Sequence, residues 1–179
     1  TNERIAAASV CTAWHGAAWS GFKCLDTQGV SPLFAASENG WNEVVHLLLR
    51  FSQVNVEMPN AHGATPLFIA ACRGNSQVVE HLLEFGARVN ARTYDGYTPL
   101  YIASHRGHER VVELLLNYGA DKRACYLGES PMQAAMRNGH HNVQVILSPK
   151  HSPVAQRPTR VPGSLSSSLS SSQTELPVV

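Results

Sequence analysis

The sequence predicts an all-α solenoid, a row of stacked helix–turn–helix units with β-turns at the tips of their loops. Four prolines recur at intervals of 34, 33 and 32 residues: Pro32, Pro66, Pro99 and Pro131. Glycines three residues before and eight residues after these prolines repeat at the same intervals. Apolar residues at helical spacing follow in the two central intervals. A period near 33 residues is typical of repeats that bury their apolar faces against one another.

Each unit is predicted to open with a short helix. A hydroxyl residue precedes every periodic proline, namely Ser31, Thr65, Thr98 and Ser130. The hydroxyl caps free N–H groups at a helix start, and proline fits the first helical position because its missing N–H would be unpaired there. Glycine accepts the left-handed conformation of a helix C-cap, so we expect these helices to stop at Gly40, Gly74, Gly107 and Gly139.

A second, longer helix is predicted to complete each unit. In the second unit its apolar stripe consists of Val78, Val79, Leu82 and Leu83. In the third unit the same stripe consists of Val111, Val112, Leu115 and Leu116. Neither helix can bury its stripe alone, so the units must stack.

These segments resemble ankyrin repeats. The match is closest at residues 96–103, 107–116 and 119–121, and residues 63–91 match in the preceding unit. The resemblance covers roughly residues 26–147 and implies four repeats, at about 26–58, 59–92, 93–124 and 125–148. The family usually carries histidine after its Thr-Pro-Leu motif, where this chain has Phe34, Phe68, Tyr101 and Gln133. That departure replaces a hydrogen bond between neighbouring turns with packing.

The two ends of the chain depart from the repeat pattern. Residues 12–21 resemble a first-helix segment, but Gly21 lies only eight residues before Gly29, which leaves no room for a second helix. Residues 1–25 are therefore either a partial repeat or an N-terminal cap. Residues 149–179 are rich in serine and proline, and we expect a disordered tail. Ser148 and Ser152 precede prolines and are candidate sites for proline-directed kinases.

Composition excludes several classes of protein. The 179 residues include 14 Lys and Arg and 13 Asp and Glu, a balance that argues against binding to a nucleic-acid backbone. The longest apolar runs are about six residues, whereas a membrane helix needs about 20. The four cysteines form no CxxC pair, so we expect free thiols in an intracellular compartment, cytoplasmic and/or nuclear. We also expect a monomer.

The sequence predicts neither catalysis nor a metal or cofactor site. His105, His108, His140 and His141 raise a metal hypothesis, but they lie on successive units and zinc needs converging ligands. For His108 and His140 the alternative is structural, since each follows a stop glycine where its ring would order the turn. No phosphate-binding glycine loop, paired carboxylates or nucleophile triad is present.

The resemblance implies a concave face built from turn tips and first helices. The candidate partner-binding residues on it are Glu38, Asn39, Arg73, Tyr94, Asp95, Tyr97, His105, Arg106, Glu129, Arg137 and Asn138. We interpret Arg73, Arg106 and Arg137 as a row in register, one stacking step apart, with tyrosines beside it. The row predicts binding to an acidic or carboxylate-bearing segment of a protein partner. The alternative is that these arginines pair with acidic neighbours in the same chain, such as Glu38, Asp95 and Glu129.

The resemblance also points to a modification. Ankyrin repeats with Val-Asn in the loop after the second helix are substrates of asparaginyl hydroxylation, and Asn55 and Asn90 match that position. The alternative is that both asparagines only form hydrogen bonds within their loops.

We therefore predict a non-enzymatic protein-binding module, an adaptor or scaffold. One alternative is the substrate-targeting domain of a larger enzyme, such as a ubiquitin ligase or a kinase. Another is binding of a nucleotide or nucleic acid through the arginine row with stacking on tyrosine, which the balanced charge argues against.

Overall fold

The computed structural model describes residues 30–51 and 54–148. The helices in those residues are α1 (Pro32–Asn39), α2 (Asn42–Phe51), α3 (Pro66–Arg73), α4 (Ser76–Glu84), α5 (Pro99–Arg106), α6 (Glu109–Asn117), α7 (Pro131–Arg137) and α8 (His141–Leu147). They form four consecutive pairs, which confirms the predicted all-α repeat architecture. The predicted N-terminal segment 1–25, the predicted tail 149–179 and Ser152 lie outside the described residues.

The first helix of each pair begins as the hydroxyl–proline pattern predicts. The backbone N–H of the third helical residue donates to the preceding hydroxyl at 3.1–3.2 Å in all four pairs. In the fourth pair Gln133 Oε1 also accepts from the backbone N–H of Ser130 at 2.8 Å, completing a capping box. Gln133, which departs from the family pattern, thus supplies half of a helix cap.

The core is a continuous apolar layer that runs through all four pairs. First helices pack on first helices and second helices on second helices along the stack. Val79, Leu82 and Val112 are fully buried, and the buried cluster extends from Leu33 to Leu147. Each pair depends on its neighbours for burial, as expected of a solenoid.

Polar side chains link each pair to the one before it. Asn75 Nδ2 donates to the Ser37 carbonyl at 2.9 Å. His108 Nε2 lies 3.1 Å from the Cys72 carbonyl, and His140 Nε2 lies 3.1 Å from the His105 carbonyl. These contacts give His108 and His140 a structural role between neighbouring pairs. The described part of the chain contains no group of three or more His, Cys, Asp or Glu side chains that could hold a metal.

Candidate functional site

The turns at the loop tips follow two different patterns. In the third turn the Thr93 N–H donates to the Tyr97 carbonyl at 3.0 Å, which encloses three residues. In the fourth turn Tyr126 and Glu129 exchange both backbone hydrogen bonds, at 2.9 and 2.8 Å, and enclose only two residues. Those two residues, Leu127 and Gly128, have φ values of 48° and 81°, as a type I′ turn requires.

Leu127 occupies an unfavourable position in the fourth turn. Among the described residues it is the only one other than glycine with a positive φ. A left-handed conformation costs a residue with a Cβ about 1–2 kcal/mol. The side chain is 88% exposed, so little apolar burial offsets this cost. The fourth turn therefore presents an apolar side chain to solvent at the expense of stability.

Three tyrosines pack together beside this turn. The Tyr126 ring stacks on the Tyr97 ring with a centroid separation of 3.7 Å and an interplanar angle of 22°. The Tyr101 ring is tilted against both, at 5.7 Å from Tyr97 and 5.4 Å from Tyr126. The hydrogen bond with Tyr126 and burial raise the pKa of Tyr97. Burial, together with a hydrogen bond to Glu129, raises the pKa of Tyr101 to about 12, so these phenols stay protonated near neutral pH.

Glu129 joins the tyrosines to the fourth pair of helices. Tyr101 Oη donates to Glu129 Oε2 at 2.7 Å, and Arg137 Nη2 lies 3.3 Å from the same oxygen. Both contacts are made to Oε2, and the other carboxylate oxygen, Oε1, accepts no hydrogen bond from a described residue. The Glu129 side chain is 22% exposed and the Arg137 side chain 61%, so the carboxylate is recessed and the guanidinium lies at the rim.

These side chains enclose a concave cavity of about 630 Å³. It lies between the third and fourth turns on one side and α5 and α7 on the other. It is lined by Tyr97, Tyr101, Ile102, His105, Tyr126, Leu127, Gly128, Glu129, Gln133 and Arg137. The Nδ1 atom of His105 is buried without a hydrogen-bond partner in the described structure. The cavity thus combines aromatic rings, an exposed leucine and a recessed carboxylate.

A family model described as ankyrin repeats (3 copies) matches residues 6–93 and 90–157. The chain belongs to the ankyrin repeat family. Ankyrin repeats are generally protein–protein interaction modules, and the family is typically non-enzymatic. A search of curated proteins found no match. Within the described ankyrin domain, no helix is both long and apolar enough to cross a membrane.

The ankyrin domain brings only part of the predicted set together. Of the eleven predicted partner-binding residues, those that line the cavity are Tyr97, His105, Glu129 and Arg137. Tyr101, Tyr126 and Gln133 line it too but were absent from the predicted set. Tyr101 and Gln133 could have been singled out from the sequence, because they stand where the family usually has histidine. Tyr126 carries no such signal, because its stacking depends on how the fourth turn closes.

The predicted arginine row is wrong in its register. Arg73 and Arg106 directly precede their stop glycines, whereas Arg137 lies two residues before Gly139, so the third member is out of register. Two members are also paired within the chain. Arg73 Nη2 lies 2.6 Å from Glu38 Oε1, and this hydrogen bond raises the Arg73 pKa. Arg137 pairs with Glu129, which leaves Arg106 as the member of the row with no ion pair to a described residue.

The remaining predicted residues lie outside the cavity. Tyr94 is 76% exposed, and its ring covers Gly63 of the preceding turn, where an added Cβ would lie 2.7 Å from Tyr94 Cδ1. Asp95 is exposed at the tip of the third turn. Asn39 and Asn138 each donate through Nδ2 to a carbonyl four residues earlier in their own helix, at 2.8 Å. These asparagines therefore stabilise helix ends.

The structure separates the two predicted hydroxylation candidates. Asn90 Oδ1 accepts from the Asp121 N–H at 2.9 Å, a contact between neighbouring repeats. One repeat earlier, Glu57 Oε1 makes the equivalent contact with the Arg88 N–H at 2.7 Å. Glu57 thus occupies the position of Asn90, and the predicted equivalence of Asn55 is wrong because Asn55 lies two residues earlier.

The remaining candidate modification residues serve local contacts. Asn55 Oδ1 accepts from the backbone N–H of Glu57 at 3.0 Å and closes its own turn. Ser148 Oγ donates to the Val145 carbonyl at 2.8 Å at the end of α8. Both contacts support structural roles, and modification of Asn90 or Ser148 stays a prediction.

Proposed function

We propose that this ankyrin domain is an adaptor or scaffold module that binds a segment of a partner protein in the cavity between its third and fourth repeats. The observation that carries the proposal is the exposed Leu127, held in a left-handed conformation beside the aromatic cavity. Backbone strain concentrates at functional sites, where the rest of the fold compensates for it. An exposed leucine that contributes little to folding has a use in a protein interface.

The composition and rigidity of the cavity support the same function. Tyrosine and arginine are enriched among residues that dominate binding energy. Here the tyrosines are fixed before a partner arrives, because Tyr97 and Tyr126 stack on each other and Tyr101 donates to Glu129. A preformed site loses less side-chain entropy on binding, so more of the contact energy contributes to affinity.

Replacing Leu127 with asparagine tests the proposal, because Asn-Gly is the preferred pair in a type I′ turn. We expect L127N to raise the free energy of unfolding by about 0.5–1.5 kcal/mol, measured by urea denaturation. We expect the same variant to lose affinity for a partner first identified by capture on the wild-type domain. A gain in stability with a loss in affinity cannot be explained by misfolding.

The matched control is Leu47→Gln, which removes an exposed leucine from α2 on the first repeat. Its affinity for the partner should equal that of the wild-type domain. Unchanged affinity of L127N for the same partner would contradict the proposed site.

Two further hypotheses from the sequence are a substrate-targeting role and the binding of an acidic segment. A substrate-targeting role in a larger enzyme would use the same cavity, and the sequence adjoining this chain would reveal it. The acidic-segment hypothesis depends on Arg106, since Arg73 and Arg137 already pair with glutamates. Charge reversal of Arg106 should weaken binding only if the partner is acidic.

Cys72 and Cys125 are free thiols, which supports our proposal of an intracellular location.

A further inference from the structure

We infer that the cavity receives an arginine side chain of the partner segment, with its guanidinium against the tyrosine rings and Glu129. This inference rests on the proposed function, because it names the group that would occupy the proposed site. Three features of the cavity support it: a carboxylate with hydrogen-bonding capacity to spare, the tyrosine rings that line the site, and the exposed ion pair at its rim.

The Glu129 carboxylate provides a recessed anionic acceptor. Glu129 Oε2 accepts from Tyr101 Oη and lies 3.3 Å from Arg137 Nη2, whereas Oε1 accepts no hydrogen bond from a described residue. A carboxylate can accept about four hydrogen bonds through its two oxygens. An incoming guanidinium could therefore donate to Oε1 without displacing Tyr101.

The cavity is lined by three tyrosines, Tyr97, Tyr101 and Tyr126. Tyr101 Oη already donates to Glu129 at 2.7 Å, so this hydroxyl is engaged before a guest arrives. Ring faces carry the negative end of the aromatic quadrupole, which attracts cations. An anionic guest would instead be repelled by the ring faces and by the Glu129 carboxylate.

The ion pair at the rim is exposed on its arginine side. Arg137 is largely exposed and contacts Glu129 at 3.3 Å, while the Arg73–Glu38 pair on the same face is shorter, at 2.6 Å. Exposed pairs of this kind contribute little stability. Arg137 thus competes weakly for the carboxylate that the guest would use.

Arginine fits the cavity better than lysine because its guanidinium is planar. A planar guanidinium can stack on tyrosine while it donates two N–H groups to a carboxylate. It is also less strongly hydrated than an ammonium group. The geometry of an aromatic wall next to a carboxylate matches both demands.

The test uses three short peptides, acetyl-Gly-Ser-Xaa-Ser-Gly-amide with Xaa as Arg, Gln or Glu, titrated into the isotopically labelled chain. Binding is followed by NMR at the backbone amides of Tyr97, Tyr126 and Glu129. We expect saturable shifts with the arginine peptide, about tenfold weaker binding of the glutamine peptide, and no shifts with the glutamate peptide.

Three variants assign the effect to the carboxylate. Glu129→Gln keeps the shape and an acceptor for Tyr101 but removes the charge, so affinity for the arginine peptide should fall about tenfold. Glu38→Gln breaks the comparable pair outside the cavity and should leave affinity within about twofold. Arg137→Gln removes the internal competitor and should tighten binding roughly twofold to fivefold. Amide spectra of each variant check that the fold is intact.

Opposite results would overturn the inference. Absence of saturable shifts with the arginine peptide, or equal affinity in E129Q, would exclude an arginine site. If the glutamate peptide binds instead and Arg137→Gln weakens it, the cavity is an anion site, which refutes the arginine inference but leaves the proposed function standing. If none of the three peptides binds and L127N also leaves partner affinity unchanged, both proposals fail.

Discussion

The third and fourth turns place glycine at the same distance from proline, yet they close differently. In the third turn Thr93 Oγ1 accepts from the Tyr97 N–H at 3.1 Å, which holds a three-residue loop. The fourth turn has Cys125 in the place of Thr93, and its thiol donates to the Arg123 carbonyl at 3.2 Å. Because sulfur is a weak acceptor, we attribute to Cys125 the shift of the first paired residue from the position of Thr93 to the next one, Tyr126. On this account spacing determines where a turn lies, and one side chain determines its form.

The second turn supports this explanation. Asn60 stands where Thr93 stands in the third repeat, and its Oδ1 accepts from the N–H groups of His62 and Ala64 at 3.0 and 2.9 Å. That turn also encloses three residues, since the Asn60 N–H donates to the Ala64 carbonyl. An oxygen acceptor at the first position of the turn thus accompanies the three-residue form.

The largest expected effect on stability comes from opening a cavity in the apolar layer that runs through all four helix pairs. Leu82 is fully buried in α4, and Leu82→Ala should lower the free energy of unfolding by about 2–5 kcal/mol. Urea denaturation gives this value. A loss below about 1 kcal/mol would show that the stack does not depend on the continuous apolar layer.

A pair of glycine variants tests how the third and fourth repeats are joined. Gly107 and Gly119 have φ values of 78° and 85°, so alanine pays a similar conformational cost at both. An added Cβ at Gly107 would lie 2.5 Å from the His140 ring, whereas at Gly119 it would meet open space. We expect Gly119→Ala to cost about 1–2 kcal/mol and Gly107→Ala about 1–3 kcal/mol more. Equal costs by thermal unfolding would mean that the His140 contact is unimportant.

Cys125→Thr is expected to have the smallest effect on stability, but it is the sharpest test of the comparison between the third and fourth turns. A hydroxyl at position 125 should accept from the Glu129 N–H and convert the fourth turn to the three-residue form, at a change of about 0.5–1.5 kcal/mol. Leu127 would leave the left-handed region, and the Tyr126 ring would leave Tyr97. Backbone coupling constants at Leu127 report its φ directly. A positive φ retained in this variant would refute our explanation of the two turns.

Sequence reasoning was sufficient for the fold because every repeat carries the same local signals, and their period implies stacking. Hydroxyl–proline starts and apolar stripes act within one repeat, and they placed the four helix pairs correctly. The cavity depends on contacts between repeats. The Tyr97–Tyr126 stack and the Tyr101–Glu129 hydrogen bond join residues 28 or more positions apart, and both require the form of the fourth turn. Asn55 was placed wrongly for a related reason, since the position of Asn90 is defined by its contact with the next repeat.

The most direct test of the account is partner affinity in Cys125→Thr, because this variant changes the fourth turn while keeping every side chain that lines the cavity. Partner binding is measured by calorimetry, with Cys72→Thr, a replacement on α3 outside the cavity, as the control. We expect Cys125→Thr to bind at least about tenfold more weakly than the wild type, and Cys72→Thr to bind equally well. Equal binding by Cys125→Thr with its fourth turn converted would contradict the claim that this turn builds the site.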